Sequence, residues 1–424
     1  MHYPARMNLS ARVSSLKASS TVAVMNKAKA LKAAGADVLN FSAGEPDFDT
    51  PEPAKRAAIN AINANLTRYI DTPGDPATRE LLARHITTTS HIPGVTKDHV
   101  LVTAGVKMAL YLTYQTLFDL HPPGQEQEML LPVPAWVSFS PMARLAGAKV
   151  VELPTGPEQD FKITPAQLKS AITPRTQALM LNTPSNPCST MYSQAELEAL
   201  AAVVAEAAST IAPEMVVISD ELYQNIVFGS VPHFSIGSVP SIAERTITVN
   251  GPGKSFAMTG WRLGWVSGSG EFGKQLVAGL SKLQGQSITC VPGFSLAALR
   301  SALTECDAEL EAMRTAFAAR AEVIYAELRK LPGIKLARPV GAFYVFPDIS
   351  AHLGTHSAKG AKINSAADFA SALLDEQQMA VVPGEDFSSL LGHKHIRISF
   401  ACSLEQIREG CRRLGAFIAG LNRA

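Results

Sequence analysis

The sequence predicts an α/β protein: a large domain with a seven-stranded, mostly parallel sheet sandwiched by helices, and a smaller α/β domain beside it. Three observations predict it. Seven short apolar runs lie between residues 100 and 268, most of them separated by helical stretches, as parallel strands with crossovers require. A long amphipathic stretch follows at 305–330, with Leu310, Met313, Phe317, Ile324 and Leu328 on one face, and reads as a connector. Beyond Leu331-Pro-Gly333, strands and helices mix in a different order.

In chain order, residues 22–34 read as a helix stopped by Gly35, and Val38–Phe41 as a short strand. Ser42–Pro51 is too rich in Gly, Pro and Asp to be anything but loop. The seven runs are 100–103, 128–132, 149–153, 177–182, 215–219, 246–250 and 263–268. Helices are expected at 106–118 and at 193–208, the second opened by the capping box Ser193-Gln-Ala-Glu196. The C-terminal part predicts strands at 335–340, 342–348, 379–384 and 396–401 and a helix at 366–377. A last helix, 403–421, starts with a second capping box, Ser403-Leu-Glu-Gln406. The expected division is 1–50 as N-terminal arm and part of the small domain, 51–310 as the large domain and 311–424 as the small domain.

Composition narrows the function. Apolar residues make up 46% and charged residues 18%, a globular balance, and 38 Lys plus Arg against 37 Asp plus Glu offer no basic surface for nucleic acid or membrane. The five cysteines are scattered, odd in number and without C-x-x-C, which points to a reducing compartment and to no zinc site. No run is long and apolar enough to span a bilayer. The segment before Asp37 lacks acids and carries Arg6, Arg12, Lys17 and serines, faintly like a transit peptide; the expectation is nonetheless a cytoplasmic protein.

The chemistry is expected at Asn250-Gly-Pro-Gly-Lys254-Ser-Phe-Ala-Met-Thr-Gly-Trp-Arg262, which follows a β-branched run. Lysine forms Schiff bases with carbonyls, and burial frees its amine; arginine offers a planar fork for phosphate. Alone, a lysine and an arginine eight residues apart are more often a solvated loop and a structural cation. Asn182-Thr-Pro-Ser-Asn-Pro187 after the fourth run could be turn chemistry, and Asp220 in Ser219-Asp-Glu-Leu-Tyr223 could cap a helix. Val102-Thr-Ala-Gly105-Val-Lys-Met-Ala-Leu110 puts small residues at a helix N-terminus, a ready anion site. Arg397 in Ile396-Arg-Ile-Ser-Phe400 stands in an apolar strand and needs a partner, an internal ion pair being the plain answer.

Together these segments resemble the class I aminotransferases, pyridoxal 5′-phosphate (PLP) enzymes of fold type I, and look closest to the bacterial aspartate aminotransferase subgroup. The resemblance runs from about Lys17 to the end and includes Pro134-Ala-Trp136, Thr67-Arg-Tyr69 and Gly341-Ala-Phe-Tyr-Val345. It implies that Lys254 holds the cofactor and carries the proton. Asp220 would pair with the pyridine nitrogen, Asn186 and Tyr223 with the phenolic O3′, and Trp136 would stack on the ring. Gly105, Val106, Lys107 and Arg262 would hold the phosphate, joined by Tyr69 from a neighbouring subunit, hence a homodimer with shared sites. Arg397 would take the substrate α-carboxylate, with Gly44, Trp136 and Asn186 beside it. The resemblance also implies a cis Asn186–Pro187 bond. Lys107 and Thr21 would border the distal carboxylate of a dicarboxylic substrate, although Lys107 could equally assist the phosphate or face solvent. The sequence departs from the family pattern at Val106, Met108, Cys188, Ser189 and Gly253.

The expected function is transfer of an amino group between an amino acid, aspartate or glutamate first, and a 2-oxo acid by a ping-pong cycle. Alternatives are an aminotransferase for prephenate, aromatic residues or alanine, or a PLP-dependent lyase or decarboxylase. A regulator built on an inactive aminotransferase domain lacks the DNA-binding segment it would need. A nucleotide-binding protein lacks G-x-G-x-x-G and G-x4-G-K-[ST].

Overall fold

A computed structural model describes residues 10–14, 16, 20–122 and 124–422, and for residues 20–23 the backbone alone. All seven runs are strands, each end within one residue of its expected place: β1 (Val100–Thr103), β2 (Glu128–Val133), β3 (Lys149–Pro154), β4 (Thr176–Asn182), β5 (Val216–Asp220), β6 (Thr246–Asn250) and β7 (Gly264–Ser267). They form one sheet in the order β1-β7-β6-β5-β4-β2-β3. Strands β2 to β6 pair in parallel, whereas β7 runs antiparallel to both β1 and β6.

Period-two alternation divides the strand residues between two cores. Met129, Leu131, Ala178, Met180, Val216 and Ile218 point to the side covered by the helices Val106–Leu117, Phe139–Leu145 and Gly270–Gly285. Leu130, Leu179, Leu181 and Val217 point to the side covered by Pro165–Ala171 and Gln194–Thr210. Every residue of β5 and β6 is therefore buried, and the polar groups of these strands can reach a ligand only where the strands end.

The C-terminal part holds a three-stranded antiparallel sheet in which Ile396–Ser399 lies between Val382–Pro383 and Tyr344–Val345. Leu39–Asn40 pairs in parallel with Met379–Ala380, so the start of the chain is stitched to its end. The helices Asp307–Leu328, Ala366–Gln377 and Leu404–Ala419 share one core with these strands. Both capping boxes form: Ser193 accepts from Glu196 N–H and Ser403 from Gln406 N–H.

Four expectations are corrected. Residues 335–340 are not a strand: Lys335 makes a lone bridge to Asp348, and the Val340 backbone bonds instead to Ser189 and Phe228. Pro339 has no N–H to give a ladder. The strand expected at 342–348 shrinks to Tyr344–Val345, and that at 379–384 divides between two partners. The long helix begins at Asp307, because Gly293–Glu305 is a helix of its own and the chain leaves helical geometry at Cys306 (φ −115°, ψ 27°).

Candidate active site

The C-terminal ends of β4, β5 and β6 and the loops after them open onto one cleft of about 360 Å³. It is lined by Gly44, Gly105, Val106, Lys107, Trp136, Asn186, Asp220, Tyr223, Lys254, Arg262 and Arg397, so sequence-predicted residues from far apart in the chain are brought together. Tyr69 is not among them; it stands 86% exposed on the surface. Thr21 lies in the helix Ser20–Ala33, with its side chain outside the described residues, and Met25 of that helix reaches the cleft.

Lys254 sits in the one-turn helix Pro252–Ser255 directly after β6. Its Nζ donates to the Gly44 carbonyl at 2.5 Å. Desolvation lowers its pKa to about 8, with Glu45 opposing and the Arg397 and Arg262 cations assisting. The loop that carries Gly44 is fastened to the lysine loop by Thr259 Oγ1 donating to Glu45 (2.8 Å), Thr50 Oγ1 donating to Ala257 O (2.9 Å) and Trp261 Nε1 donating to Thr50 (3.0 Å).

Asp220, the last residue of β5, is buried, and one carboxylate oxygen accepts from Leu222 N–H at 3.1 Å. Burial pushes its pKa up to about 7, against the Leu222 hydrogen bond and the Lys254 charge. Glu221 points the other way, accepts from Ser219 and Ser235, and is also raised to about 7 by burial. Asn182 ties the neighbouring loop to β5: it donates to Asp220 O (3.1 Å) and accepts from Asn186 N–H (2.8 Å). The peptide bonds Thr183–Pro184 and Asn186–Pro187 are cis, as is Val133–Pro134.

The start of the helix Val106–Leu117 has the chemistry to take an anion. Among the described residues, the Val106 and Lys107 N–H groups donate to no protein acceptor. Gly105 has φ +85°, and a Cβ on it would lie 2.5 Å from Arg262 Nη2, so glycine lets the guanidinium close on this helix end. Arg262 takes the left-handed conformation (φ 54°), its Nη1 donating to Thr259 O at 2.9 Å. Lys107 Nζ lies 5.0 Å from the centre of the Trp136 ring, and its pKa is lowered by desolvation and then by Arg262.

Arg397, in the middle strand of the small sheet, is 5% exposed. It donates through Nη1 to Asn186 Oδ1 (3.1 Å) and through Nη2 to Ser42 O (2.9 Å), and Nε has no hydrogen-bond acceptor among the described residues. Its guanidinium lies over Tyr344 (4.6 Å) and Phe387 (5.1 Å). Burial lowers its pKa from the usual arginine value. The arrangement can hold a carboxylate at one end and a phosphate at the other, with an amine and a buried carboxylate between.

Sequence reasoning missed Tyr344, Met25, Ser42, Asn182, Met258 and Thr259, which also line the cleft. Met25 alone stands in none of the segments singled out: Tyr344 lies in Gly341-Ala-Phe-Tyr-Val345, Asn182 opens Asn182–Pro187, Met258 and Thr259 lie within Asn250–Arg262, and Ser42 opens the Ser42–Pro51 loop. Two departures from the family pattern acquire a physical account. Ser189 stands at φ 55°, where glycine is usual, and its hydroxyl accepts the Tyr344 N–H at 2.9 Å. Gly253 leaves open space, since a Cβ there would meet nothing closer than 3.8 Å.

Known proteins resemble this chain over nearly its whole length. Residues 36–414 match the family model Aminotransferase class I and II. The chain is 35% identical to an aspartate aminotransferase of Bacillus subtilis over 97% of this chain and 99% of that one. It is 39% identical to an aspartate/prephenate aminotransferase of Cereibacter sphaeroides over 98% and 99%. A solved aspartate aminotransferase from Thermus thermophilus with maleate superposes with TM-score 0.87 at 37% identity, covering 97% of this chain and all of that one. The chain therefore belongs to the class I and II aminotransferases, fold type I enzymes that use pyridoxal phosphate to move an amino group between an amino acid and a 2-oxo acid.

Proposed function

We propose that this aminotransferase prefers dicarboxylic substrates: aspartate and glutamate as donors, oxaloacetate and 2-oxoglutarate as acceptors. The observation that carries the proposal is Lys107, a cation that lines the same cleft as Arg397 in addition to Lys254 and Arg262. Arg397 would clamp the α-carboxylate that all amino acids carry, with the Gly44 N–H beside it. Lys107 would meet a carboxylate that only some of them carry. Names of relatives support this, and the Cereibacter relative's name adds prephenate as a second substrate reading.

The cleft fits PLP. The Gly105–Arg262 cradle and the Val106 and Lys107 N–H groups suit a phosphate. Asp220, a buried carboxylate at about pKa 7, suits a protonated pyridine nitrogen. Asn186 and Tyr223 would contact O3′, Trp136 would stack on the ring, and Lys254 would be the point of attachment. When bound, PLP supplies the carbonyl that takes the amine and a ring that accepts the electron pair left on Cα. Lys254 Nζ would take the proton from substrate Cα and return it, a role suited by its lowered pKa. Arg397 and Gly44 would hold the substrate so that this proton faces Nζ.

On the same reading the chain divides at about residues 50 and 310 into arm, large domain and small domain, works in the cytoplasm, and pairs with a second copy. Tyr69 would reach the partner's phosphate. Ile59, Ile62 and Leu66, exposed on the same segment, supply apolar surface for that contact. The test is a set of half-reactions: the holoenzyme is mixed with one amino acid and the cofactor's visible absorbance is followed. Aspartate and glutamate should discharge it faster than alanine or phenylalanine, and 2-oxoglutarate should restore it. Equal rates for aspartate and alanine would sink the dicarboxylate preference.

A further inference from the structure

Tyr344 occupies the junction between the two ends of the cleft. It is wholly buried, and its N–H is held by Ser189 Oγ at 2.9 Å. Its hydroxyl lies 3.0 Å from that of Tyr223, and the two rings meet edge-on at 6.0 Å. The Arg397 guanidinium sits 4.6 Å from the centre of its ring. A Cβ on Gly44 would lie 3.6 Å from its hydroxyl oxygen. One residue thus touches the cation, the glycine and the tyrosine that bound the cleft.

Two hydroxyls that share one hydrogen bond must divide the roles: one donates, and the other keeps its own hydrogen for a different acceptor. The more acidic phenol is the better donor. A cation against the ring favours the phenolate, and the cation here lies against Tyr344. Burial raises both phenols. At Tyr344 the largest opposing influence is Arg397. At Tyr223, Tyr344 and Asp220 push the same way as burial, and Arg397 comes last. The charged groups facing the pair are Arg397 and Asp220, which together with Glu45 and Arg262 also act on the Lys254 amine.

We propose that Tyr344 is a positioning residue that donates to Tyr223 Oη, turns the Tyr223 O–H into the cleft, and couples Arg397 to Tyr223. This rests on the assignment of Tyr223 to O3′ of the cofactor. Accepting a hydrogen bond polarises the Tyr223 O–H and makes it a stronger donor. A stronger donor stabilises the deprotonated O3′ and keeps the proton affinity of the bound cofactor low. Tyr344 therefore sets a titration that it does not itself undergo.

The experiment is a pH titration of the visible absorbance of the holoenzyme, with no substrate present. Tyr344→Phe keeps the ring and its packing, and should move the midpoint to higher pH by about half a unit. Tyr223→Phe should move it further in the same direction. In the double variant, Tyr344→Phe should add nothing, because it acts only through Tyr223. Should Tyr344→Phe fold poorly, 3-fluorotyrosine at position 344 gives the opposite sign: a more acidic phenol donates more strongly, and the midpoint should fall. No shift with either replacement, or a Tyr344→Phe shift that persists without Tyr223, overturns the inference. A wild-type protein with no Lys254-dependent absorbance would instead overturn the cofactor assignment beneath it.

Discussion

The two ends of the cleft hold buried charge in different ways. At the sheet end, Asp220 and Lys254 have pKa values pushed to about 7 and about 8, so each can shed its charge near neutrality. At the end formed by the three-stranded sheet, Arg397 cannot, and its charge is met by fixed groups: Asn186 Oδ1, Ser42 O and the faces of Tyr344 and Phe387. The sheet end is adjustable and suited to moving protons. The other end is permanent and suited to gripping a carboxylate. Changes at the first should alter chemistry and pH behaviour; changes at the second should alter binding.

The strongest way to break this contrast is Lys254→Ala. No other cleft residue pairs an amine with the Asp220 end, so turnover should fall by roughly ten-thousand-fold or more. A variant with wild-type kcat would end the proton-carrier assignment. Arg397→Leu should cost about 3–5 kcal/mol in kcat/KM, the worth of two charged hydrogen bonds, and equally for every amino acid. A loss confined to one substrate would place the α-carboxylate elsewhere.

Asp220→Asn should retain PLP yet lose about a hundredfold in kcat, since an amide cannot hold a positive pyridine nitrogen. It also carries a stability signature of the opposite sign. The folded pKa of Asp220 is raised from 3.8 to about 7, so the native carboxyl holds its proton where the unfolded one does not. Its contribution to stability is full below the lower value and lost as pH rises through the upper one. Cofactor-free Asp220→Asn should therefore melt above the wild type at pH 8, with the gap closing between pH 7 and pH 4. An unchanged gap across that window would mean that Asp220 is not a strained buried carboxylate.

Lys107→Ala is expected to have the smallest and most selective effect. It should cost about 1.5–3 kcal/mol in kcat/KM for aspartate and almost nothing for alanine. An equal loss for both would assign Lys107 to the cofactor phosphate and remove the case for dicarboxylates.

Much of this was legible in advance for a definite reason. The inner strands of this sheet are buried on both faces, so they appear as apolar runs, and the groups that must face a ligand can stand only at their ends. Lys254, Asp220 and Asn186 each sit just after such a run. The small sheet is less legible. Its strands are two to four residues long, and part of the expected ladder at 335–340 is spent on Ser189 and Phe228, which lie far away in sequence. Local pattern carries no information about such partners. The helix Gly293–Glu305 ran unseen into Asp307–Leu328 because apolar spacing continues across the break at Cys306.

The sequence by itself determined the residue types and the strand ends that offer them: an amine, a carboxylate, an anion-binding helix start and an arginine in an apolar strand. Only the tertiary structure decided what those charges meet. Arg397 could have closed an internal ion pair with its own neighbours. Instead it bonds to Asn186, 211 positions away, and to Ser42, 355 positions away, and rests on Tyr344. Tyr344 in turn meets Tyr223 across 121 positions. A strand fixes which face a side chain leaves from, and only the packing of distant segments supplies what stands opposite it.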